Sequence, residues 1–344
     1  MYNKTEVMTY TYSMRQKTTY IVIVAAMLCV VGCKSKEHQV DLSDAQKLEI
    51  LDMKVKKHQN DCSLLAERAQ LLLKLGRTQE AVYDINRASN IEPDNVEYRL
   101  IQADAALANG DRSGCYNALT EAERIDPDNK EVQLKLGEFT FYTGDYDRAL
   151  KSLSKVTETD PTNRTALMIK GHVYKETGDT ASAVTLFRKV CDLYPDYEPA
   201  FEELGILYAT RGNAMALEYL STALRLSPNS TETLYALAMY YQEQEELEKA
   251  ENLYNQLLDI NPNSADALHN LGYIELFYYR DYERAIEYMN KALEADPTNL
   301  NALVDRGCAY ELSDLPDKAR ADFMTALQID GKYQPALDGL ARIK

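Results

Sequence analysis

Apolar and small residues recur along the chain at the spacing of paired amphipathic helices. Leu167, Gly171 and Tyr174 lie three or four positions apart, so they share one face of a first helix. A second stripe follows at the same spacing and consists of Ala183, Phe187 and Val190. The pattern therefore predicts two consecutive amphipathic helices, which must bury their apolar faces against neighbours.

The same pattern returns about every 34 residues between Cys62 and Gly331. Seven prolines mark this period, at spacings of 33 to 35 residues: Pro93, Pro127, Pro161, Pro195, Pro228, Pro262 and Pro297. If each proline is given position 32, eight units begin at Cys62, Val96, Lys130, Arg164, Glu198, Thr231, Ala265 and Leu300. The fifth unit lacks one residue in its turn, and the seventh has one extra. A regular period of this length predicts stacked helix pairs.

Small residues occupy two fixed positions of the unit. Position 8 holds Ala69, Ala103, Gly137, Gly171, Gly205, Ala238, Gly272 and Gly307. Position 20 holds Ala81, Cys115, Ala149, Ala183, Ala216, Ala250, Ala285 and Ala319. Such residues let the two helices of a pair approach closely, so a bulkier side chain would overpack the pair by about 1–3 kcal/mol. Position 15 is a glycine in the first five units, where the chain leaves the first helix and needs a positive φ.

These residues resemble the tetratricopeptide repeat, whose pattern has small residues at positions 8 and 20, Tyr near 11, an aromatic residue or Leu at 24, and Pro at 32. The resemblance covers residues 62–331 as eight units. It departs at position 4, where the family's Trp is mostly replaced by Leu, and by polar Arg99 and Gln133 in the second and third units. Neither departure changes the fold that the resemblance implies.

Each end of the repeat region carries a further predicted helix that can cover the terminal pair. A helix over about Asp44–Lys57, with Ser43 as its N-cap, falls in an N-terminal capping segment, 42–61. A helix over Pro335–Ile343 falls in a C-terminal capping segment, 332–344. The expected fold class is therefore all-α: an α-solenoid of about eight tetratricopeptide helix pairs with short capping helices at both ends.

The first 32 residues have the features of a signal peptide. A basic segment precedes an apolar stretch, Tyr20–Val31, that is too short to span a membrane. The stretch ends in Val-Val-Gly-Cys, which resembles the lipobox of bacterial lipoproteins and implies diacylation of Cys33. Met14 fits better than Met1 as the true start, and residues 33–41 would form a flexible tether. An uncleaved N-terminal anchor is the alternative interpretation.

The lipobox implies a protein of the bacterial cell envelope, attached to the membrane by lipid only and facing the periplasm from the outer membrane. Acidic residues outnumber basic ones by 54 to 38, which gives a formal charge of −16. A chain this acidic is repelled by phosphate backbones and anionic lipid surfaces. Nucleic acid is therefore excluded as a partner, and a basic or mixed polypeptide is favoured.

No motif for nucleophilic, phosphate-binding or metal chemistry stands out. The chain lacks Gly-x-x-x-x-Gly-Lys, Gly-x-Gly-x-x-Gly and Gly-x-Ser-x-Gly. Its four histidines are scattered, and neither His-x-x-x-His nor Cys-x-x-Cys occurs. Acidic pairs such as Glu202-Glu203 are expected on solvated faces. We therefore expect a protein that is not an enzyme, with no catalytic residues, no metal site and no cofactor.

The resemblance implies one binding surface, because the family holds partner peptides in a concave groove lined by positions 2, 5, 9, 12 and 13 of each first helix. The candidate groove residues are Phe141, Tyr142, Met168, His172, Tyr235, Met239, His269, Tyr273 and Phe277. Aromatic side chains among carboxylates suit a protein or peptide partner with apolar anchors and Lys or Arg. Alternatively, Phe141, Tyr142 and Phe277 pack against neighbouring helices, or the extra residue of the seventh unit shifts the register there.

The expected function is that of a lipid-anchored envelope adaptor that binds partner proteins or peptides in this groove. Recruitment of peptidoglycan-modifying enzymes, and assembly of a secretion or outer-membrane machine, would use the same groove, and the sequence does not separate them. An enzyme with a site between repeats is the alternative from a different class. It would need a pocket in which His172 or His269 lies beside two other titratable groups.

Overall fold

The computed structural model describes residues 43–343, which form eighteen α-helices and one short π-helix, with no strand in that range. The predicted signal peptide, the start at Met14, the lipidated Cys33 and the tether lie outside the described residues. The described part divides into two compact units, which meet in sequence between Leu193 and Tyr194.

The first unit consists of a capping helix and four helix pairs. Its helices are α1 Asp44–Lys57, α2 Cys62–Lys74, α3 Thr78–Ile91, α4 Val96–Ala108, α5 Arg112–Ile125, α6 Lys130–Thr143, α7 Tyr146–Thr159, α8 Arg164–Glu176 and α9 Thr180–Leu193. Helix α1 begins at a capping box, in which the Gln46 amide donates to Ser43 Oγ and the Ser43 amide donates to Gln46 Oε1. The N-cap predicted at Ser43 is confirmed.

The second unit also has four helix pairs and ends in a capping helix. Its elements are α10 Glu198–Ala209, α11 Met215–Leu226, α12 Thr231–Glu243, α13 Leu247–Ile260, α14 Ala265–Ile274, a π-helix Glu275–Tyr279, α15 Tyr282–Ala295, α16 Leu300–Leu312, α17 Pro316–Ile329 and α18 Gln334–Arg342. Together the units contain the eight expected pairs and both capping helices. The predicted all-α fold class is confirmed.

Glycine at position 8 allows close contact with the large side chain at position 24. A Cβ added to Gly171 would lie 2.6 Å from Cε1 of Phe187, and one added to Gly307 would lie 2.6 Å from Cε1 of Phe323. Both rings are fully buried. The close approach expected from the small residues is therefore present, and position 24 supplies the side chain that fills the space.

Position 15 adopts a positive φ in every unit, whatever residue the sequence supplies. The first five units have glycine there, with φ between 63° and 84°. The last three units place Glu245, Arg280 and Asp314 in the same left-handed conformation, with φ of 59°, 57° and 57°. The turn is thus a requirement of the helix pair and not a consequence of glycine.

The extra residue of the seventh unit is accommodated in the π-helix. A π-turn takes in one additional residue while the flanking helix continues. The π-helix ends at Arg280, the left-handed residue of position 15, so the second helix of the unit, α15, starts in its normal register. The register shift considered for this unit is therefore confined to Glu275–Tyr279.

The two polar residues at position 4 contact the proline that ends the preceding unit. Arg99 Nε donates to the carbonyl oxygen of Pro93 at 3.1 Å, and Gln133 Nε2 donates to that of Pro127 at 2.7 Å. A carbonyl just beyond a helix has no intrahelical donor, so these side chains satisfy it. This contact explains why the family's apolar residue at position 4 is replaced in the second and third units.

Candidate functional site

The nine predicted groove residues fall into two surfaces, one in each unit. The first aromatic surface comprises Phe141, Tyr142, Met168 and His172 on helices α6 and α8. The second aromatic surface comprises Tyr235, Met239, His269, Tyr273 and Phe277 on α12, α14 and the π-helix. Position within the repeat places each residue on the first helix of its unit, as expected.

In the first aromatic surface, Tyr142 is the most open residue. Its side chain is 41% exposed, and the Arg112 guanidinium lies 5.4 Å from the ring centroid, within the range of a cation–π contact. Phe141 is half-buried and packs against the buried cluster that includes Leu153 and Val173, and its ring centroid lies 6.1 Å from that of Tyr146. The alternative in which a groove aromatic packs on neighbouring helices therefore applies to Phe141, while Tyr142 remains available for contact.

Met168 and His172 are buried, with 5% and 3% of their surface exposed. The His172 ring lies 5.2 Å from the Phe187 ring and 6.1 Å from the Phe141 ring. The expectation that all four side chains of this surface are open to a partner needs correction at these two positions. Both side chains therefore present little contact area to a partner, and the His172 ring packs against Phe141 and Phe187 instead.

A cluster of charged side chains lies one helical turn from these aromatics. Lys135 Nζ donates to Asp104 Oδ1 at 2.7 Å, which joins the first helices of the second and third units. Glu138 lies on the next turn of α6, and its burial raises the pKa of its carboxyl group to about 7, although Lys135 opposes the shift. A cation brought by a partner would favour the ionised form of Glu138.

The second aromatic surface contains a series of rings along one helix face. The His269 and Tyr273 ring centroids are 6.4 Å apart, and those of Tyr273 and Phe277 are 4.5 Å apart. Phe277 ends the series and is 46% exposed. Because the π-helix begins at Glu275, it sets the direction in which Phe277 projects. Three of the predicted residues are thus brought into one continuous series.

Polar contacts hold the second aromatic surface in place. His269 Nε2 lies 2.8 Å from Asp305 Oδ2, and Asn270 Nδ2 donates to Tyr235 Oη at 3.0 Å. Tyr235 and Met239 are half-buried. Each contact joins the first helices of two consecutive units and restrains the side chains that make it, and such restraint lowers the entropic cost of binding.

A buried acidic cluster that the sequence does not reveal lies at the start of α10. Thr233 Oγ1 donates to Glu202 Oε2 at 2.6 Å and lies 3.2 Å from Glu198 Oε1. Burial raises the pKa of Glu202 to about 8, and Glu203 is only 3% exposed. The pair Glu202-Glu203 is therefore not on a solvated face. The sequence contains no signal for this, because the burial comes from side chains distant along the chain.

The described residues offer little of the chemistry that an enzyme site would use. Burial raises the pKa of the Cys115 and Cys191 thiols to about 12 and that of Cys308 to about 11, values that disfavour the nucleophilic thiolate. Between residues 43 and 343, no group of three or more His, Cys, Asp or Glu side chains is placed to hold a metal ion. In the same range, no helix combines the length and apolarity that crossing a membrane demands.

Two models of the tetratricopeptide repeat match the chain. One matches residues 106–173 and 213–271, and the other matches residues 165–197 and 265–299. The matched segments include Gly137, Gly171 and Gly272 of position 8 and Gly144 and Gly178 of position 15. The chain belongs to the tetratricopeptide repeat family, whose stacked helix pairs form a scaffold suited to protein–protein interaction.

Known proteins resemble parts of the chain. Anaphase-promoting complex subunit 7 of Dictyostelium discoideum is 30% identical over 130 residues, which are 38% of this chain and 22% of that protein. The match therefore spans about a fifth of that relative. A tetratricopeptide repeat protein from Parabacteroides merdae has 20% identity and a TM-score of 0.58, covering 72% of this chain and 97% of that one. The anaphase-promoting complex hetero-tetramer Cut9–Hcn1 has 19% identity and a TM-score of 0.57, covering 93% and 61%.

Proposed function

We propose that the protein is a lipid-anchored adaptor of the bacterial cell envelope that binds partner proteins or peptides on the first helices of its repeats. The observation that carries the binding proposal is the ring series His269, Tyr273 and Phe277, which ends in an exposed phenylalanine. Aromatic anchors of this kind contribute much of the binding energy in protein interfaces. In this proposal the protein brings partners together and catalyses no reaction.

The partner that fits best carries apolar anchors together with Lys or Arg. The chain is acidic overall, and Glu138 lies near the first aromatic surface, where a cation of the partner would stabilise its carboxylate. Near the second surface, Glu232 is exposed one turn before Tyr235, and Asp266 is half-buried one turn before His269. Acidic side chains at the rim of an aromatic surface select basic partners and speed association.

Synthetic peptides test the binding proposal directly. We expect a peptide of alternating Phe and Arg to bind the chain in fluorescence anisotropy, and its Glu-containing counterpart to bind at least tenfold more weakly. Phe277→Ala should weaken binding by a similar factor, since truncating an anchor costs about 2 kcal/mol or more. Tyr83→Ala is the matched control, because Tyr83 is exposed on α3, a second helix. Equal loss of binding in both variants would contradict the proposal.

The lipid anchor rests on the lipobox that ends at Cys33. We propose that Cys33 is diacylated and that the chain faces the periplasm from the outer membrane, held there by lipid alone. Cys33→Ala should move the protein from the membrane fraction to the soluble fraction of the envelope. Cys29→Ala removes a thiol within the leader and should leave fractionation unchanged. Retention of the Cys33 variant in the membrane would disprove the anchor.

Two narrower roles fit the same surfaces: recruitment of peptidoglycan-modifying enzymes, and assembly of a secretion or outer-membrane machine. Both require a protein partner and neither requires catalysis by this chain. An enzyme with a site between repeats is less well supported, because His172 packs against two phenylalanine rings and, among the described residues, the one carboxylate paired with His269 is that of Asp305. A neighbouring gene for a peptidoglycan hydrolase would favour the first role, and a neighbouring gene for a secretion component would favour the second.

A further inference from the structure

Lys170 is a half-buried lysine of helix α8 whose ammonium group bonds to hydroxyl groups and to no carboxylate. Its Nζ donates to Ser154 Oγ at 3.1 Å and to Thr157 Oγ1 at 3.2 Å, both on α7. Within residues 43–343, no Asp or Glu oxygen lies at ion-pair distance from this nitrogen, although the chain has 54 acidic residues. An ammonium group has three N–H donors, so one donor of Lys170 remains available.

Two other repeats of the chain have a cation at the same position together with a carboxylate. Position 7, which is Lys170 in the fourth repeat, is Arg68 in the first repeat and Arg306 in the last. Each arginine forms a bidentate pair with a buried aspartate 16 residues further along, namely Asp84 for Arg68 and Asp322 for Arg306. In these repeats the second helix therefore supplies the acid that pairs with position 7.

The fourth repeat keeps one half of this arrangement and lacks the other. Sixteen residues before the cation, Ser154 accepts from Lys170, as Asp52 and Asn290 accept from the two arginines. Sixteen residues after the cation, the fourth repeat has Leu186 in place of an aspartate. The cation of this repeat is thus conserved in place, while the carboxylate that pairs with it elsewhere in the chain is absent.

An open cleft of about 340 Å³ lies beside Lys170 and Leu186, which both line it. We call it the Lys170 cleft. Its other lining residues are Tyr174 from α8 and Ala181, Ser182 and Thr185 from α9. The volume is at the lower end of the range for ligand sites and suits a single side chain. The place of the missing carboxylate is therefore open to a group from outside the repeat.

The electrostatics of the three repeats differ in the direction that a missing acid predicts. Burial lowers the pKa of Lys170, with Glu158 opposing this shift and Lys189 adding to it. Hydrogen bonds to the aspartates raise the pKa of Arg68 and of Arg306. A carboxylate placed beside Lys170 would offset the cost of burying its charge, as the aspartates do in the other two repeats.

The Lys170 cleft is separate from the predicted peptide groove. The groove positions of α8 are Met168 and His172, and Lys170 is two residues from each of them. Two residues correspond to roughly half a turn of an α-helix, so Lys170 projects away from the direction of both. A ligand of the cleft therefore contacts side chains different from those that a peptide in the groove would contact.

We propose that the Lys170 cleft binds an aspartate or glutamate side chain of a partner polypeptide, which supplies the carboxylate that the fourth repeat lacks. The carboxylate accepts a hydrogen bond from Lys170 Nζ and forms an ion pair with it. The methylene groups of the same side chain pack on Leu186 and Ala181. This contact is additional to the groove and does not depend on what the groove binds.

The chemistry of the ligand is tested with blocked amino acids. N-acetyl-L-glutamate methylamide is the probe, used with the full chain in detergent, and saturation-transfer NMR measures its dissociation constant. We expect saturable binding, and we expect the uncharged glutamine analogue to bind about tenfold more weakly, because bonds to charged groups are the stronger ones. Acetate should also bind more weakly, because it lacks the methylene groups that pack on Leu186. Equal binding of the glutamate and glutamine probes would overturn the proposal, and equal binding of acetate would replace a side chain by a small free anion.

The site is tested with three variants, each checked for folding by circular dichroism. Lys170→Met removes the charge and keeps the methylene stem, so the glutamate probe should bind about tenfold more weakly. Leu186→Asp supplies the carboxylate from the chain itself. It should weaken binding of the probe to a similar extent and raise the pKa of Lys170, measured by NMR of lysine labelled with ¹³C at Cε.

Lys151→Met is the matched control, because it makes the same substitution at an exposed lysine of α7 and should bind like the wild type. Unchanged binding of the glutamate probe to Lys170→Met would overturn the proposal, as would equal losses in Lys170→Met and Lys151→Met.

Discussion

Arg68 and Asp84 form a bidentate ion pair inside the first repeat. Arg68 Nε donates to Asp84 Oδ2 at 2.6 Å and Nη2 donates to Oδ1 at 2.7 Å, while Nη1 reaches Asp52 of the capping helix at 2.9 Å. Asp84 is only 1% exposed. The pair therefore ties the first repeat to α1, which covers the end of the first unit.

The last repeat contains the same arrangement at the same positions of the unit. Arg306 Nε donates to Asp322 Oδ2 at 2.8 Å, Nη2 donates to Oδ1 at 2.7 Å, and Nη1 donates to Asn290 Oδ1 at 2.7 Å. The first and last repeats each have a neighbouring repeat on one side only. A bidentate Arg–carboxylate pair adds directional contacts there that apolar packing alone does not supply.

Removing one partner of the Arg68–Asp84 pair should be strongly destabilising. Arg68→Met leaves a buried carboxylate without its cation, and we expect the free energy of unfolding to fall by about 3 kcal/mol. Arg68→Met combined with Asp84→Leu should recover much of this loss, because no buried charge then remains. Urea denaturation measures the free energy of unfolding of the single and the double variant. Arg77→Ala is the control, since its pair with Glu80 is exposed to solvent and should contribute little to the free energy of unfolding.

Adding a methyl group at position 8 should disrupt the contact between the helices of a pair. The Cβ of Gly171→Ala would lie 2.6 Å from Phe187, so we expect a loss of about 1–3 kcal/mol in the free energy of unfolding. Gly331→Ala is the matched control, because the nearest atom to its added Cβ is a carbonyl oxygen 3.7 Å away. If the two variants were equally stable, close packing at position 8 would not be the reason for glycine there.

Substitutions at position 15 should change the free energy of unfolding in opposite directions in different repeats. Gly144→Ala places a Cβ at φ 84° and should cost about 1 kcal/mol. Glu245→Gly and Asp314→Gly remove a Cβ from the same conformation and should stabilise the chain by roughly 0.5–1 kcal/mol. The shift in thermal midpoint, monitored by circular dichroism, shows whether each variant is more or less stable than the wild type. Destabilisation by both glycine variants would show that their side chains contribute more than the strain they impose.

The stability of the chain should depend on the ionisation of Glu138. Burial raises the pKa of this carboxyl group from 4.5 to about 7, so the folded chain binds its proton more tightly than the unfolded chain does. The contribution of Glu138 to stability is therefore lost as the pH rises from about 4.5 to about 7. Glu138→Gln should remove this dependence and be more stable than the wild type at pH 8, by about 1–3 kcal/mol. An unchanged pH profile in denaturant titrations would contradict this.

Much of the fold followed from positions in the repeat. The helix pairs were predictable from the proline at position 32, the small residues at 8 and 20, and the glycines at 15. Proline and glycine occur where a helix ends and the chain turns, and small residues occur where two helices approach closely. Ser43 signalled the first capping helix by its own hydrogen-bonding capacity. The sequence showed no glycine at Glu245, Arg280 or Asp314, yet the chain turns there in the same way, because packing of the pair overrides the local preference.

The candidate site was predictable from the sequence only in part. The sequence by itself determined which residues lie on the first helices, including Tyr142 and Phe277, since helical spacing alone assigns a face. Only the tertiary structure decided that His172 and Met168 are buried and that the extra residue of the seventh repeat becomes a π-turn. Burial depends on side chains that are distant in sequence and meet only in the folded chain, so no local pattern predicts it.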